Sequence, residues 1–172
     1  MKKIFIISVL VALVSACSST PNLEDYANDP DGMWQEGKKL SEKGEKLISK
    51  GESTLEDARK ELREGEILIQ SGTDAIIRAR QDYQNEATLI GNSSTPQEVE
   101  FEAEKLNAIG ERWEDAIDDI KKGNNMVAKS KKLQTKAQEQ ISEGRRLVEK
   151  GAGFIRNSQR IRLNVPLLPD SQ

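Results

Sequence analysis

The chain has 172 residues, of which 32% are charged and only 4% aromatic, and its formal net charge is −3. Acidic and basic residues are interspersed, which excludes the basic patch that is typical of nucleic-acid-binding proteins. The absence of histidine and the presence of one cysteine exclude thiol–imidazole catalysis and the usual imidazole and thiolate metal sites. We therefore expect no enzymatic activity, no bound metal and no small-molecule substrate.

The first seventeen residues are typical of an export signal. Lys2 and Lys3 precede an uncharged apolar run at residues 4–14. A membrane-spanning helix needs roughly 20 apolar residues, so a run of this length favours a signal peptide over a membrane anchor. The segment Val14-Ser15-Ala16-Cys17 then resembles the lipobox of bacterial lipoproteins, in which an aliphatic residue and two small residues precede a cysteine.

This resemblance implies that residues 1–16 are removed and that Cys17 becomes the new amino terminus. It also implies an S-diacylglycerol and an N-acyl chain on Cys17, and several acyl chains together anchor a protein durably to a bilayer. We expect no other cofactor. Ser18 follows the cysteine, where lipoproteins of the enterobacterial type that stay in the inner membrane carry aspartate. The resemblance therefore favours the periplasmic face of the outer membrane over the inner membrane.

Residues 17–31 come next and are mostly polar, with Pro21 and Pro30 among them. This composition predicts a flexible tether between the lipid and the helical part of the chain. Asp31 is a candidate N-cap for the first helix, because a side-chain oxygen there can accept a free amide hydrogen. The helical part is predicted over residues 32–160.

Small residues recur at every seventh position in both halves of this helical part, and we expect them to pack one helix against the other. The twelve residues that we call the seam are Gly37, Gly44, Gly51, Ala58, Gly65, Gly72, Ala116, Gly123, Ser130, Ala137, Gly144 and Gly151. The spacing continues to Ala79 and Ser158. Larger apolar residues follow three or four positions later, and this pattern predicts a coiled coil rather than a strand.

The two halves also resemble each other at an offset of 79 residues. Trp34 aligns with Trp113, and Gly44 aligns with Gly123. This similarity indicates a duplication of one long helix. Glycine inside a helix costs about 1 kcal/mol relative to alanine, so a row of glycines favours a second helix that approaches too closely for a side chain.

A turn is predicted at residues 91–96, between a first helix at about 32–90 and a second at about 97–160. Gly91 suits a helix end, and Thr95-Pro96-Gln97-Glu98 matches a capping box with proline at the first helical position. Folding the chain about Ser94 brings residues level when their numbers sum to 188. Small residues then face small residues along the seam: Gly37 with Gly151, Gly44 with Gly144, Gly51 with Ala137, Ala58 with Ser130, Gly65 with Gly123 and Gly72 with Ala116. The next pair, Ala79 with Ile109, breaks this pattern.

The C-terminal segment 161–172 contains Pro166 and Pro169, which exclude a continuing helix. Its apolar residues favour packing on the base of the hairpin, and binding of a partner protein is the alternative. Trp34 and Phe154 both belong to this end of the hairpin, so we expect an aromatic cluster there.

The predicted fold is thus all-α: a long antiparallel two-helix coiled-coil hairpin, with dimerisation to a four-helix bundle left open. For function, we expect a membrane-anchored periplasmic lipoprotein that is a structural spacer, scaffold or protein-interaction module. Its expected partners are the membrane, through the lipid, and a second copy or an envelope protein. One alternative is an accessory subunit of an envelope export or surface-assembly complex. A helix pair lying on lipid is another, although glutamates between the lysines disfavour it.

Overall fold

The computed structural model describes residues 21–168. Two long helices account for most of this part of the chain: α1 spans Pro30–Ala87, 58 residues, and α2 spans Pro96–Arg162, 67 residues. A short 3-10 helix, Leu23–Tyr26, precedes α1. The two long helices pack against each other in an antiparallel arrangement, so the predicted helical hairpin is confirmed. At 1.5 Å per residue, α1 is about 87 Å long.

The helix ends lie close to the predicted ones, with shifts that have local causes. Helix α1 begins two residues early, because the cap is Asp29 rather than the predicted Asp31. The Asp29 carboxylate accepts a hydrogen bond from the Gly32 amide at 2.9 Å, and Pro30 occupies the first turn, where its missing amide hydrogen is not needed. Helix α1 ends at Ala87 rather than near residue 90, and α2 continues to Arg162.

The turn between the helices is held at both of its ends. Gly91 has a φ of 87°, a left-handed conformation that glycine adopts without steric cost. At the start of α2, the Thr95 hydroxyl accepts from the Glu98 amide at 3.3 Å, and the Glu98 carboxylate accepts from the Thr95 amide at 3.0 Å. The reciprocal pair is the predicted capping box, and it satisfies amide hydrogens that have no partner within the helix.

The register of the hairpin is the predicted one, in which level residues sum to 188. A Cβ atom built on Gly72 would lie 2.7 Å from the Ala116 carbonyl oxygen, and one built on Gly65 would lie 2.9 Å from that of Gly123. Where the small pairs end, Ala79 and Ile109 are both buried, so the larger isoleucine fills the interface toward the turn. The exposed Gly110 beside it has nothing within 4 Å of its Cβ position.

The predicted tether at residues 17–31 is wrong for its C-terminal part. Leu23 is buried, and the Tyr26 ring packs edge-on against Phe154 with ring centroids 5.9 Å apart. Leu23 and Tyr26 cover apolar surface that two helices alone leave open at the base, the end of the hairpin opposite the turn. Pro30 and Asp31 already belong to α1.

After α2 the chain folds back on the end of that helix. Asn164 has a positive φ of 56°, and the Val165 amide donates to the Arg160 carbonyl at 2.9 Å. The buried Asn157 side chain then donates to the Leu168 carbonyl at 3.2 Å and accepts from the Leu168 amide at 2.7 Å. Hydrogen bonds to the Arg160 carbonyl and to the Asn157 side chain therefore hold residues 163–168. The predicted packing of apolar side chains on the base is wrong for this part of the segment, because all four of them remain exposed: Leu163, Val165, Leu167 and Leu168.

Candidate functional site

All seam residues are buried between the two helices, and the contact there is between backbones. A Cβ atom on Gly44 would lie 2.5 Å from the Gly144 carbonyl oxygen, and one on Gly144 would lie 2.7 Å from that of Gly44. Real Cβ atoms do not approach so closely, so no other amino acid fits at either position without separating the helices. The seam is therefore a packing device rather than an exposed binding site.

One seam position adds a hydrogen bond between the helices. The Ser130 hydroxyl is fully buried and donates to the Ala58 carbonyl at 2.6 Å, at the level where the two residues were predicted to meet. Gln134 donates to the same hydroxyl at 3.3 Å. This hydrogen bond satisfies a polar group that would otherwise be costly to bury, and it opposes sliding of one helix along the other.

Beside the seam, the hairpin has two long faces. Each helix turns by about 100° per residue, so residues three and four positions after a seam position lie on opposite sides of the seam. Because the helices are antiparallel, the residues three positions after the seam from both helices share one side, which we call the +3 face. Residues four positions after the seam share the other side, the +4 face. The buried cluster of Leu40, Leu147 and Phe154 shows this sharing on the +3 face.

At the base, the chain itself covers the +3 face. Leu23 packs with Met33, Leu40, Leu147 and Phe154 in the cluster of buried apolar residues, and Tyr26 lies against it. The expected aromatic cluster of Trp34 with Phe154 is wrong, because the two residues lie on different faces. Leu23 and Tyr26 were not predicted to belong to this cluster, although two large apolar residues within a polar segment indicate that the segment contacts the hairpin.

Toward the turn, charged residues replace the apolar residues of the +3 face. Asp82 pairs with Arg112 at 3.0 Å, and Glu86 pairs with Lys105 at 3.2 Å. These side chains line an open groove of about 620 Å³ beside Ile109. Partly exposed ion pairs are solvated and contribute little to the free energy of folding. The groove between them has neither the apolar walls nor the buried polar groups that are typical of a ligand pocket.

The +4 face is apolar along most of the hairpin, and no residue within 21–168 covers it. Two polar residues, Ser41 and Gln134, interrupt it between residues 34 and 155. Its fifteen apolar or aromatic residues are Trp34, Ile48, Leu55, Leu62, Ile69, Ile76, Tyr83, Val99, Leu106, Trp113, Ile120, Val127, Ile141, Val148 and Ile155. Each of them is partly or largely exposed and none is buried, in contrast to the base of the +3 face.

Charged side chains elsewhere lie on the surfaces of the two helices. Hydrogen bonds from Arg146 lower the pKa of the exposed Glu143, and backbone amides of Ser94 and Thr95 lower the pKa of Glu98 at its cap. Within residues 21–168, no group of three or more potential ligands is placed to hold a metal ion. Over the same residues, neither long helix contains a stretch apolar enough to cross a membrane.

The signal segment 1–16 and the candidate lipidation residue Cys17 lie outside the described residues. Comparison with protein-family models, with curated proteins and with solved structures found no match for the chain. Function is therefore inferred from the sequence patterns and from the geometry of the hairpin.

Proposed function

We propose that the chain is a lipid-anchored envelope protein, attached through Cys17 to the periplasmic face of the outer membrane, with a structural and non-enzymatic role. The hairpin serves as a stiff spacer or scaffold that presents an interaction surface. One observation supports this proposal above the others. At the seam the backbones of the two helices are in contact, whereas the apolar +4 face runs along the hairpin and is not covered by any residue within 21–168.

The spacer role follows from where the anchor would be attached. Leu23 lies six residues after Cys17 in the sequence, and it is buried at the base of the hairpin. Six residues span at most about 20 Å, so a lipid on Cys17 would hold the base near the bilayer. The turn would then project into the periplasm by up to the length of α1, about 87 Å.

The interaction role follows from the size of the +4 face. Soluble monomers rarely expose continuous apolar patches larger than a few hundred Å², and larger ones usually bind a protein or a membrane. The fifteen apolar residues of the +4 face form two rows along the hairpin, and each of them is partly or largely exposed. A protein surface with matching heptad spacing would cover them best.

A specific observation also favours the second candidate, an accessory subunit of an envelope export or surface-assembly complex. Leu89, Ile90, Val99 and Phe101 are each more than half exposed at the turn end. This apolar tip would lie farthest from the lipid anchor, where a partner embedded in or spanning the envelope would meet the hairpin.

The anchor is tested by growing the native host with an alkyne analogue of palmitate. We expect label on the wild-type chain, no label on a Cys17→Ala variant, and retention of the wild type in the membrane fraction after a high-salt wash. An unlabelled wild-type chain in the soluble periplasmic fraction would contradict the anchor.

The interaction role is tested in the same host with a photo-crosslinking amino acid. Probes at Ile76 on the +4 face and at Phe101 on the tip are compared with one at Ile67, which is 66% exposed on the far side of α1. Adducts at Ile76 and not at Ile67 support the interaction surface. A discrete foreign adduct at Phe101 supports the second candidate, whereas no adduct at either probe would contradict an interaction role.

A further inference from the structure

We infer that the +4 face is the interface of a parallel homodimer, in which two hairpins stack face to face with both turns at the same end. The occupant of the face is therefore a second copy of this chain, and the product is a four-helix bundle. This inference rests on the proposed function and deepens it by naming the partner. It depends on three observations: the area of the face, its internal symmetry and the charges along its edges.

The area of the face is large enough for a stable dimer. Two helices, each about 10 Å wide and about 87 Å long, present roughly 1,700 Å² on one side. A standard stable interface buries roughly 800 Å² on each partner, so contact over half of the face would be sufficient. The +4 rows supply the apolar centre of such an interface, and charged side chains border it.

The internal duplication makes the face nearly symmetric. Residues 79 positions apart occupy equivalent places on α1 and α2, as Trp34 and Trp113 or Ile69 and Val148 do. Both helices therefore present apolar residues at the same seven-residue spacing. When one hairpin is turned over and laid on another, α1 meets α2 of the other copy with rows of matching period, as a two-fold interface requires.

Charge distinguishes the parallel dimer from the antiparallel one. The edge of the +4 face along α1, between residues 38 and 66, has five glutamates and three basic residues, all exposed: Lys38, Glu42, Glu45, Glu52, Glu56, Arg59, Arg63 and Glu66. The level edge of α2, over residues 122–150, has the opposite balance, with two basic residues and one acidic: Lys131, Arg145 and Glu149.

A parallel dimer places α1 of one copy over α2 of the other, so the acidic edge meets the basic edge. Glu45 then lies within two residues of the level of the partner's Arg145, and Glu56 within one residue of the level of the partner's Lys131. An antiparallel dimer instead places α1 over α1 and α2 over α2, so that edges of like charge face each other. Electrostatic complementarity therefore favours the parallel arrangement.

The parallel arrangement also makes a geometric prediction. Its two-fold axis runs along the hairpins through the centre of the bundle, so each α1 residue of the +4 face points across this axis toward the same residue of the partner, at every level. In an antiparallel dimer the axis crosses the hairpins, and a residue meets its own copy at one level only. Single cysteines on this face therefore distinguish the two dimers.

The test uses the full chain in host membranes, with one cysteine introduced at a time by Leu55→Cys, Ile69→Cys or Tyr83→Cys. After mild oxidation, we expect a disulfide-linked species of twice the chain mass from all three variants. The matched control, Ile67→Cys, is highly exposed but lies on the far side of α1, and we expect at least ten-fold less product from it. The unsubstituted chain controls for the native Cys17 thiol.

Two other results of this experiment would overturn the inference. Dimer from only one of the three variants would indicate an antiparallel pair. No dimer from any of them, or equal yields from Ile67→Cys, would mean that no parallel dimer forms through the face. Loss of palmitate labelling with retention of the three disulfides would disprove the lipid anchor and leave the dimer intact.

A second measurement does not depend on introduced cysteines. Both tryptophans of the chain, Trp34 and Trp113, lie on the +4 face, and Trp34 is 39% exposed. Diluting the detergent-purified full chain should shift the tryptophan emission to longer wavelength as the dimer dissociates. Emission that is independent of concentration, together with a monomer mass by sedimentation, would contradict the dimer.

The same titration tests the orientation. Glu45→Arg should raise the dimer dissociation constant by about three-fold, the scale expected of an exposed ion pair, and adding Arg145→Glu should restore it. Failure of the second substitution to restore affinity would contradict the parallel register.

Discussion

The +3 and +4 faces lie on either side of the same seam and come from the same seven-residue pattern, yet they differ in how they are covered. On the +3 face, Leu23 and Tyr26 cover the apolar base, and ion pairs such as Asp82 with Arg112 replace apolar contacts toward the turn. The +4 face stays mostly apolar from Trp34 to Ile155, and none of the residues that the structure describes covers it. The base of the +3 face is thus covered within one chain, whereas the +4 face remains available for association.

The largest expected effect is at the base of the +3 face. Phe154→Ala removes a fully buried ring from the apolar cluster, and we expect it to lower the free energy of unfolding by about 4 kcal/mol. Its neighbour Ile155 is only partly buried on the +4 face, so Ile155→Ala should cost about 1 kcal/mol in the monomer. Urea denaturation followed by circular dichroism measures both values. If both substitutions lowered the free energy of unfolding by the same amount, the difference in burial between the +3 and +4 faces would be contradicted.

The next effect concerns the seam that both faces share. Gly44→Ala gains about 1 kcal/mol of helix propensity, but the new Cβ atom would meet the Gly144 backbone. We expect a net loss of about 2 kcal/mol as the helices separate.

The matched control for this substitution is Gly110→Ala in α2, where the added atom meets nothing within 4 Å. It should raise the free energy of unfolding by about 1 kcal/mol. Thermal unfolding of the two variants should therefore shift the midpoint in opposite directions, and a stabilising Gly44→Ala would contradict backbone contact at the seam.

A smaller effect is expected at the centre of the seam. Ser130→Ala removes the buried hydrogen bond to the Ala58 carbonyl and should lower the free energy of unfolding by about 1 kcal/mol. Thr135→Ala is the control, because that exposed hydroxyl bonds only within its own helix, to Lys131. If the two variants unfold at the same urea concentration, the hydrogen bond at Ser130 does not stabilise the hairpin.

The smallest effect is expected at the turn and depends on pH. Amide hydrogens of Ser94 and Thr95 lower the pKa of Glu98 below its ordinary value of 4.5. A group with a lowered pKa stabilises the folded state above its ordinary pKa, and this stabilisation is lost as the pH falls through the lowered value. The protection factor of the amides at the start of α2, which compares their exchange rate with that of an unstructured chain at the same pH, should therefore fall on acidification in the wild type. It should already be low, with less dependence on pH, in Glu98→Gln.

Much of this architecture follows from the sequence, because the patterns that specify it are local or repeat along the chain. The seven-residue spacing predicted both helices, and the row of small residues predicted their register, since only small residues allow backbones to touch as Gly44 and Gly144 do. The capping box at Thr95 predicted the start of α2 to within one residue. The first cap was assigned to Asp31 instead of Asp29, because neighbouring aspartates are equally able to cap and only the path of the chain selects one.

By itself, the sequence determined the hairpin, its register and the presence of apolar rows on both sides of the seam. Only the tertiary structure decided which row the chain covers. Folding brings Leu23 and Tyr26 back to Phe154, far along the sequence, and no local pattern records such a contact. Folding also places Trp34 and Phe154 on opposite sides of the hairpin. Phe154 lies three positions after a seam position. Trp34 lies three positions before one, which in the seven-residue repeat is equivalent to four positions after, and these two positions point to different faces. Because Leu23 and Tyr26 pack on the +3 face, the +4 face is left exposed.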